Sequence, residues 1–109
     1  MNLAVCLTQV PDTAARLKIS SDNRTIDSSG LNFVMNPYDE YALEEALQVK
    51  GNASGASVTV FAVGDESFQP TIRKAFAMGA DDAVLIEHPA QDSVDVATAL
   101  AATIRAHFN

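Results

Sequence analysis

Two short apolar runs, Ser57 to Val63 and Ala83 to Ile86, flank a segment of helical length, and that arrangement confines the chain to few folds. The first run is rich in β-branched residues and closes on Gly64-Asp65, so it reads as a buried strand. Between the runs, Ser67 to Met78 spaces Phe68, Ile72, Ala75 and Phe76 for the inner face of a helix, which Gly79 ends. A strand, a helix and a second strand in one sheet require parallel strands joined by a right-handed crossover.

The same alternation extends in both directions. Leu3 to Val10 reads as a buried strand stopped by Pro11-Asp12. Asn36-Pro37 opens a helix: Asn caps, Pro suits the first helical position, and Asp39 and Glu40 favour the positive end of the dipole. Ala42, Leu43, Ala46 and Leu47 form its apolar stripe, Glu40, Glu44 and Gln48 line another face, and Gly51-Asn52 end it before a loop over 51–57. Asp92 or Ser93 caps a third helix carrying Val96, Ala97, Leu100, Ala101 and Ile104. Within residues 13–35, Leu17-Lys18-Ile19, the turn Ser21-Asp22-Asn23 and Thr25-Ile26 suggest a small hairpin or two extended pieces. The expected fold is a three-layer, Rossmann-like α/β parallel sheet with three main strands and a small hairpin.

With 109 residues, one small domain over residues 1–109 is the expectation. The net charge of −7, from 14 acidic and 7 basic residues, disfavours nucleic acid as a partner, because phosphate backbones need clustered Lys and Arg. One cysteine excludes an intramolecular disulfide, and Cys6, His88 and His107 lack the spacing of a zinc site. No apolar run approaches the roughly 18 residues of a membrane span. The first residues lack a basic leader region, and a cytoplasmic protein is the expectation. No P-loop occurs, and no Gly-x-Gly-x-x-Gly follows the first strand. Cys6 reads as a small core residue, His88 and His107 as solvated side chains, and Glu40, Glu44 and Glu45 as a solvated helix face. No carboxylate pair is set for general acid–base work, so the chain is not expected to be an enzyme.

Three segments carry more. They are Val10-Pro11-Asp12, then Asn36-Pro37-Tyr38-Asp39-Glu40 with the Glu-Glu-Ala helix behind it, then Ile72 to Ala83 with Met78-Gly79-Ala80-Asp81. Together, in this order, they resemble the electron transfer flavoprotein β subunit family, and the resemblance spans nearly the whole chain. One departure is Thr8, where that family commonly has Lys.

The resemblance implies an adenine-nucleotide-binding α/β fold and a carrier without autonomous catalysis. It implies pairing with an α subunit that holds most of an FAD, and electrons taken from flavin dehydrogenases such as acyl-CoA dehydrogenases. A structural AMP, or a second FAD in bifurcating relatives, is implied at Cys6, Asn36, Pro37, Tyr38, Asp39 and Val63. Family members are longer, and their phosphate-cradling Gly/Thr-rich loop lies beyond position 109. A sheet short of strands would expose an edge, so self-association of the chain is a reasonable expectation. The alternative is an adenine-nucleotide-binding regulator of the universal-stress-protein type, which shares the fold.

Overall fold

The computed structural model describes residues 1–12, 18–19, 21, 26–27, 32–89 and 92–108. In chain order the elements are β1 (Asn2–Leu7), β2 (Gln9–Pro11), β3 (Lys18–Ile19), β4 (Ile26–Asp27), β5 (Phe33–Met35) and α1 (Pro37–Asn52). There follow β6 (Ser57–Gly64), a 3₁₀ turn (Glu66–Phe68), α2 (Gln69–Met78), β7 (Asp82–Glu87) and α3 (Ser93–His107). The main sheet has the order β1-β6-β7 and is parallel throughout, as the strand–helix alternation requires.

The central strand is apolar on both faces, and Val58, Val60, Phe61 and Ala62 are all buried with Thr59. Side chains alternate, so the strand feeds two cores. On one face Val5, Leu7, Val58, Val60 and Ala62 meet Leu43 and Ala46 of α1, Phe68, Ala75 of α2 and Ala80. On the other face the Phe61 ring meets His107 and Phe108 edge-on, at 5.6 and 5.8 Å between centroids.

Several expectations need correction. The run Leu3–Val10 is two strands, not one, broken at Thr8. Gln9–Pro11 leaves the main sheet and pairs antiparallel with Phe33–Met35. The anticipated hairpin is described only where β3 pairs antiparallel with β4; positions 13–17, 20, 22–25 and 28–31 lie outside the described residues. Cys6 is exposed rather than in the core. Alternation turns it away from Val5 and Leu7, and on that face α3 packs over β6 and β7.

Among the helices, Asn36 caps α1 as expected, its side chain accepting from the Tyr38 N–H, but α1 runs through Gly51 and Asn52 and ends at Ala53. Ala42 is exposed, about a hundred degrees round from the buried Leu43. The second helix begins at Gln69 after the 3₁₀ turn, and its buried residues are Thr71 and Ala75, while Phe76 is exposed. Asp92 caps α3, whose Val96, Leu100 and Ile104 are half-buried and whose Ala97 and Ala101 are exposed. Strand β7 is half-buried because it forms an edge of the sheet.

Candidate functional site

In a parallel α/β sheet the carboxyl ends of the strands and the amino ends of the helices meet along one edge, where ligands bind. Leu7, Gly64 and Glu87 end the three strands there. Asn36, Pro37, Tyr38 and Asp39 begin α1 beside β1. Cys6 and Val63 lie on the same sheet face near that edge, since Cys6 is in register with Phe61, two positions before Val63. Five of the six sequence-predicted residues therefore gather at one corner. Tyr38 is in the segment, but its side chain is 81% exposed and turned to solvent.

Thr8 ties this corner together. Its backbone N–H and its hydroxyl both donate to Asp39 Oδ2, at 2.7 and 2.6 Å. Its hydroxyl oxygen also accepts from Asn36 Nδ2 at 3.2 Å, and its carbonyl accepts from the Asn36 N–H at 3.0 Å. Asn36 Oδ1 accepts from the Tyr38 N–H at 3.0 Å. At the third helical position a carboxylate commonly reaches back to the cap residue's own N–H. Here that N–H goes to Thr8, and the Asp39 carboxylate reaches Thr8 too. These bonds fall at the residue where the first strand breaks.

Cys6 feels the charge of this corner. Partial burial and the negative charge of Asp39 push its thiol above the ordinary thiol value. It is therefore a poor nucleophile at neutral pH. Farther along the edge an open cleft of roughly 420 Å³ is lined by Gly64, Asp65, Glu66, Glu87, His88 and Pro89. None of the six predicted residues lines it, and its acidic rim does not suit an anion. The hydrogen-bonded corner, which holds paired donors and acceptors, is the better candidate. Gln9, outside the predicted set, braces the neighbouring strand. Gln9 Nε2 donates to Ser67 Oγ at 3.0 Å, and Gln9 Oε1 accepts from Thr71 Oγ1 at 3.3 Å, joining β2 to the start of α2. The only sequence signal for Thr8 and Gln9 is that they are polar residues interrupting an apolar strand. Among the described residues no group of three or more metal-ligating side chains comes together.

Comparison with known proteins adds lineage to this geometry. Residues 24–108 match the electron transfer flavoprotein domain. Protein FixA of Azotobacter vinelandii is 38% identical over 108 residues, covering 96% of this chain and 38% of that protein. The electron transfer flavoprotein subunit beta of Clostridium acetobutylicum is 44% identical over 95 residues, covering 87% and 36%. That of Bacillus subtilis is 42% identical over 86 residues, covering 79% and 32%. The chain belongs to the electron transfer flavoprotein family. It spans less than two-fifths of the length of these curated relatives.

In this family member the Met78-Gly79-Ala80-Asp81 segment lies at the opposite, amino-terminal edge of the sheet. Gly79 adopts a φ of 124°, and a Cβ there would also press on Leu47 at 3.3 Å. Asp81 Oδ2 accepts from the Val58 N–H at 2.8 Å, its Oδ1 pairs with Lys50 at 2.7 Å, and its own N–H donates to the Val58 carbonyl. The Lys50 bond and then the Val58 N–H hold the Asp81 carboxyl below its usual range. That segment builds the scaffold, at the edge opposite the candidate corner. No helix among the described residues is long and apolar enough to cross a membrane.

Proposed function

We propose that residues 1–109 form the N-terminal part of the nucleotide-binding α/β domain of an electron-carrier subunit. In this reading the subunit pairs with an electron transfer flavoprotein α subunit. The pair takes electrons from flavin dehydrogenases and passes them to an acceptor. The observation that carries it is the similarity to beta subunits and FixA along nearly the entire chain.

The corner residues fit the nucleoside part of a structural AMP. Asn36 keeps one side-chain N–H, and Asp39 Oδ1 carries no bond among the described residues, which leaves one donor and one acceptor side by side. Cys6 and Val63 offer a small apolar wall for a base. The charged groups around the corner and the adjoining cleft are mainly acidic, Asp39, Glu40, Asp65, Glu66 and Glu87, and Lys74 beside them is paired with Glu40, so a phosphate finds little cationic support among the described residues. Charge-assisted bonds contribute about 1.5–3 kcal/mol each, so two missing bonds weaken AMP by at least about 10²-fold. A bound flavin supplies the redox chemistry, and this chain's residues bind and position without catalysing.

Reconstitution tests the reading. The chain, the α subunit of the same organism and FAD are mixed and followed by sedimentation and flavin fluorescence. The expected result is a flavin-bearing complex that reduces dye only when an acyl-CoA dehydrogenase and its substrate are added. Absence of any complex with the α subunit would contradict the pairing, and dye reduction by this chain alone would contradict the carrier role.

A further inference from the structure

We propose that β1 is a self-docking edge: two copies of this chain pair antiparallel through Asn2–Cys6 and join their sheets into one of six strands. The inference does not depend on the nucleotide reading.

Backbone direction decides which atoms are free. In a parallel ladder a residue directs its N–H and C=O to one side, and the next residue directs its own to the other. The Met1 carbonyl accepts from the Ser57 N–H at 3.0 Å, which turns Leu3, Val5 and Leu7 toward β6 and Asn2, Ala4 and Cys6 away from it. Among the described residues no strand lies on that outer side, and Asn2, Ala4 and Cys6 are exposed. At the far side of the sheet the Asp81 N–H donates to the Val58 carbonyl, so Asp82, Val84 and Ile86 of β7 point outward in the same way.

Charge separates these two lateral edges. Strand β7 begins at Asp82 and ends at Glu87, so antiparallel pairing of two copies there crowds acidic side chains at each end. Strand β1 carries no charged residue and no Pro, the usual guards of an unpaired edge. A second copy fits it, because a twofold axis normal to the sheet lays the same row of free backbone groups onto itself and keeps the buried faces on one side. The register follows. Thr8 is already committed, its N–H to Asp39 and its carbonyl to the Asn36 N–H. Only a pairing centred on Ala4 uses all three outward residues: Ala4 faces Ala4 of the second copy, and Asn2 faces its Cys6.

Sedimentation velocity over a concentration series, with amide exchange read residue by residue, tests the proposal. A reversible dimer is expected, and added salt should strengthen it because each chain carries a net charge of −7. In the dimer the N–H groups of Asn2, Ala4 and Cys6 should gain protection, while those of Val84 and Ile86 should not. Ala4→Lys reduces the net negative charge, yet it sets two ammonium groups face to face at the twofold axis. It should weaken the dimer by about fivefold. Asn2→Lys combined with Cys6→Asp places opposite charges across both outer pairs, and should dimerise about fivefold more tightly than Asn2→Lys alone. A chain that stays monomeric up to about 1 mM would overturn the proposal. So would protection at Val84 and Ile86 instead, or a dimer whose β1 amides exchange freely, as pairing through the exposed Tyr38 and Tyr41 of α1 would give. Should Ala4→Lys fail to fold, the charge pair decides the register, and no gain over Asn2→Lys overturns it.

Discussion

The two edges of the sheet use the same device to different ends. At the amino-terminal edge Asp81 accepts the Val58 N–H on one oxygen and Lys50 on the other. At the carboxyl-terminal edge Asp39 accepts the Thr8 N–H and hydroxyl on one oxygen, and its second oxygen is uncommitted among the described residues. Each carboxylate stitches a helix-linked turn to a strand. One is fully used within the fold, and the other keeps an acceptor in reserve. A closed carboxylate is scaffold, and the open one beside the strand ends is the acceptor that the proposed ligand site would use.

The largest expected effect lies in the core that both edges share. Leu43 is fully buried on α1 against the sheet, so Leu43→Ala should cost about 2–5 kcal/mol in denaturant unfolding. A loss well under about 1 kcal/mol would mean that α1 does not anchor the ligand corner. Next comes Gly64, where β6 ends. A Cβ there would collide with the Phe68 ring, which is itself buried, so Gly64→Ala should cost about 1–3 kcal/mol by overpacking. An unchanged unfolding midpoint would show that Phe68 moves aside freely.

How much of this contrast is legible in the sequence depends on the range of the forces involved. The parallel sheet, the Asn36 cap and the Gly79 stop follow from local chemistry: β-branched runs, a capping amide and a residue tolerant of positive φ. The gathering of Cys6, Asn36, Asp39 and Val63 is legible through family resemblance, not through spacing. The break at Thr8 is not legible, because the side chains bonded to it lie 28 and 31 residues away. The exposure of Cys6 and Phe76 is equally hidden. Periodicity gives which residues share a face, but not whether a neighbouring element covers it.

Acid titration sharpens the contrast between edges. The folded pKa of Asp81 is depressed, so its contribution is present above the unfolded value of about 4 and is lost as pH falls through the folded one. Thermal melts of wild type and Asp81→Asn should therefore differ near neutral pH and converge in acid, below that unfolded value. A gap that stays constant with pH would contradict the closed carboxylate. The smallest expected effect is at Cys6. Removing the adjacent charge in Asp39→Asn should lower the thiol pKa toward its ordinary value, moving the alkylation profile to lower pH while burial still holds it partly raised. An unmoved profile would separate Cys6 from the Asp39 corner.

Mapping adenosine onto the wild-type chain by amide shifts, residue by residue, tests the division between a ligand edge and a scaffold edge most directly. Saturable shifts are expected at Cys6, Thr8, Asn36, Asp39 and Val63, with Lys50, Val58 and Asp81 unmoved. Shifts concentrated at Asp81 and Val58, or spread evenly over both edges, would contradict that division.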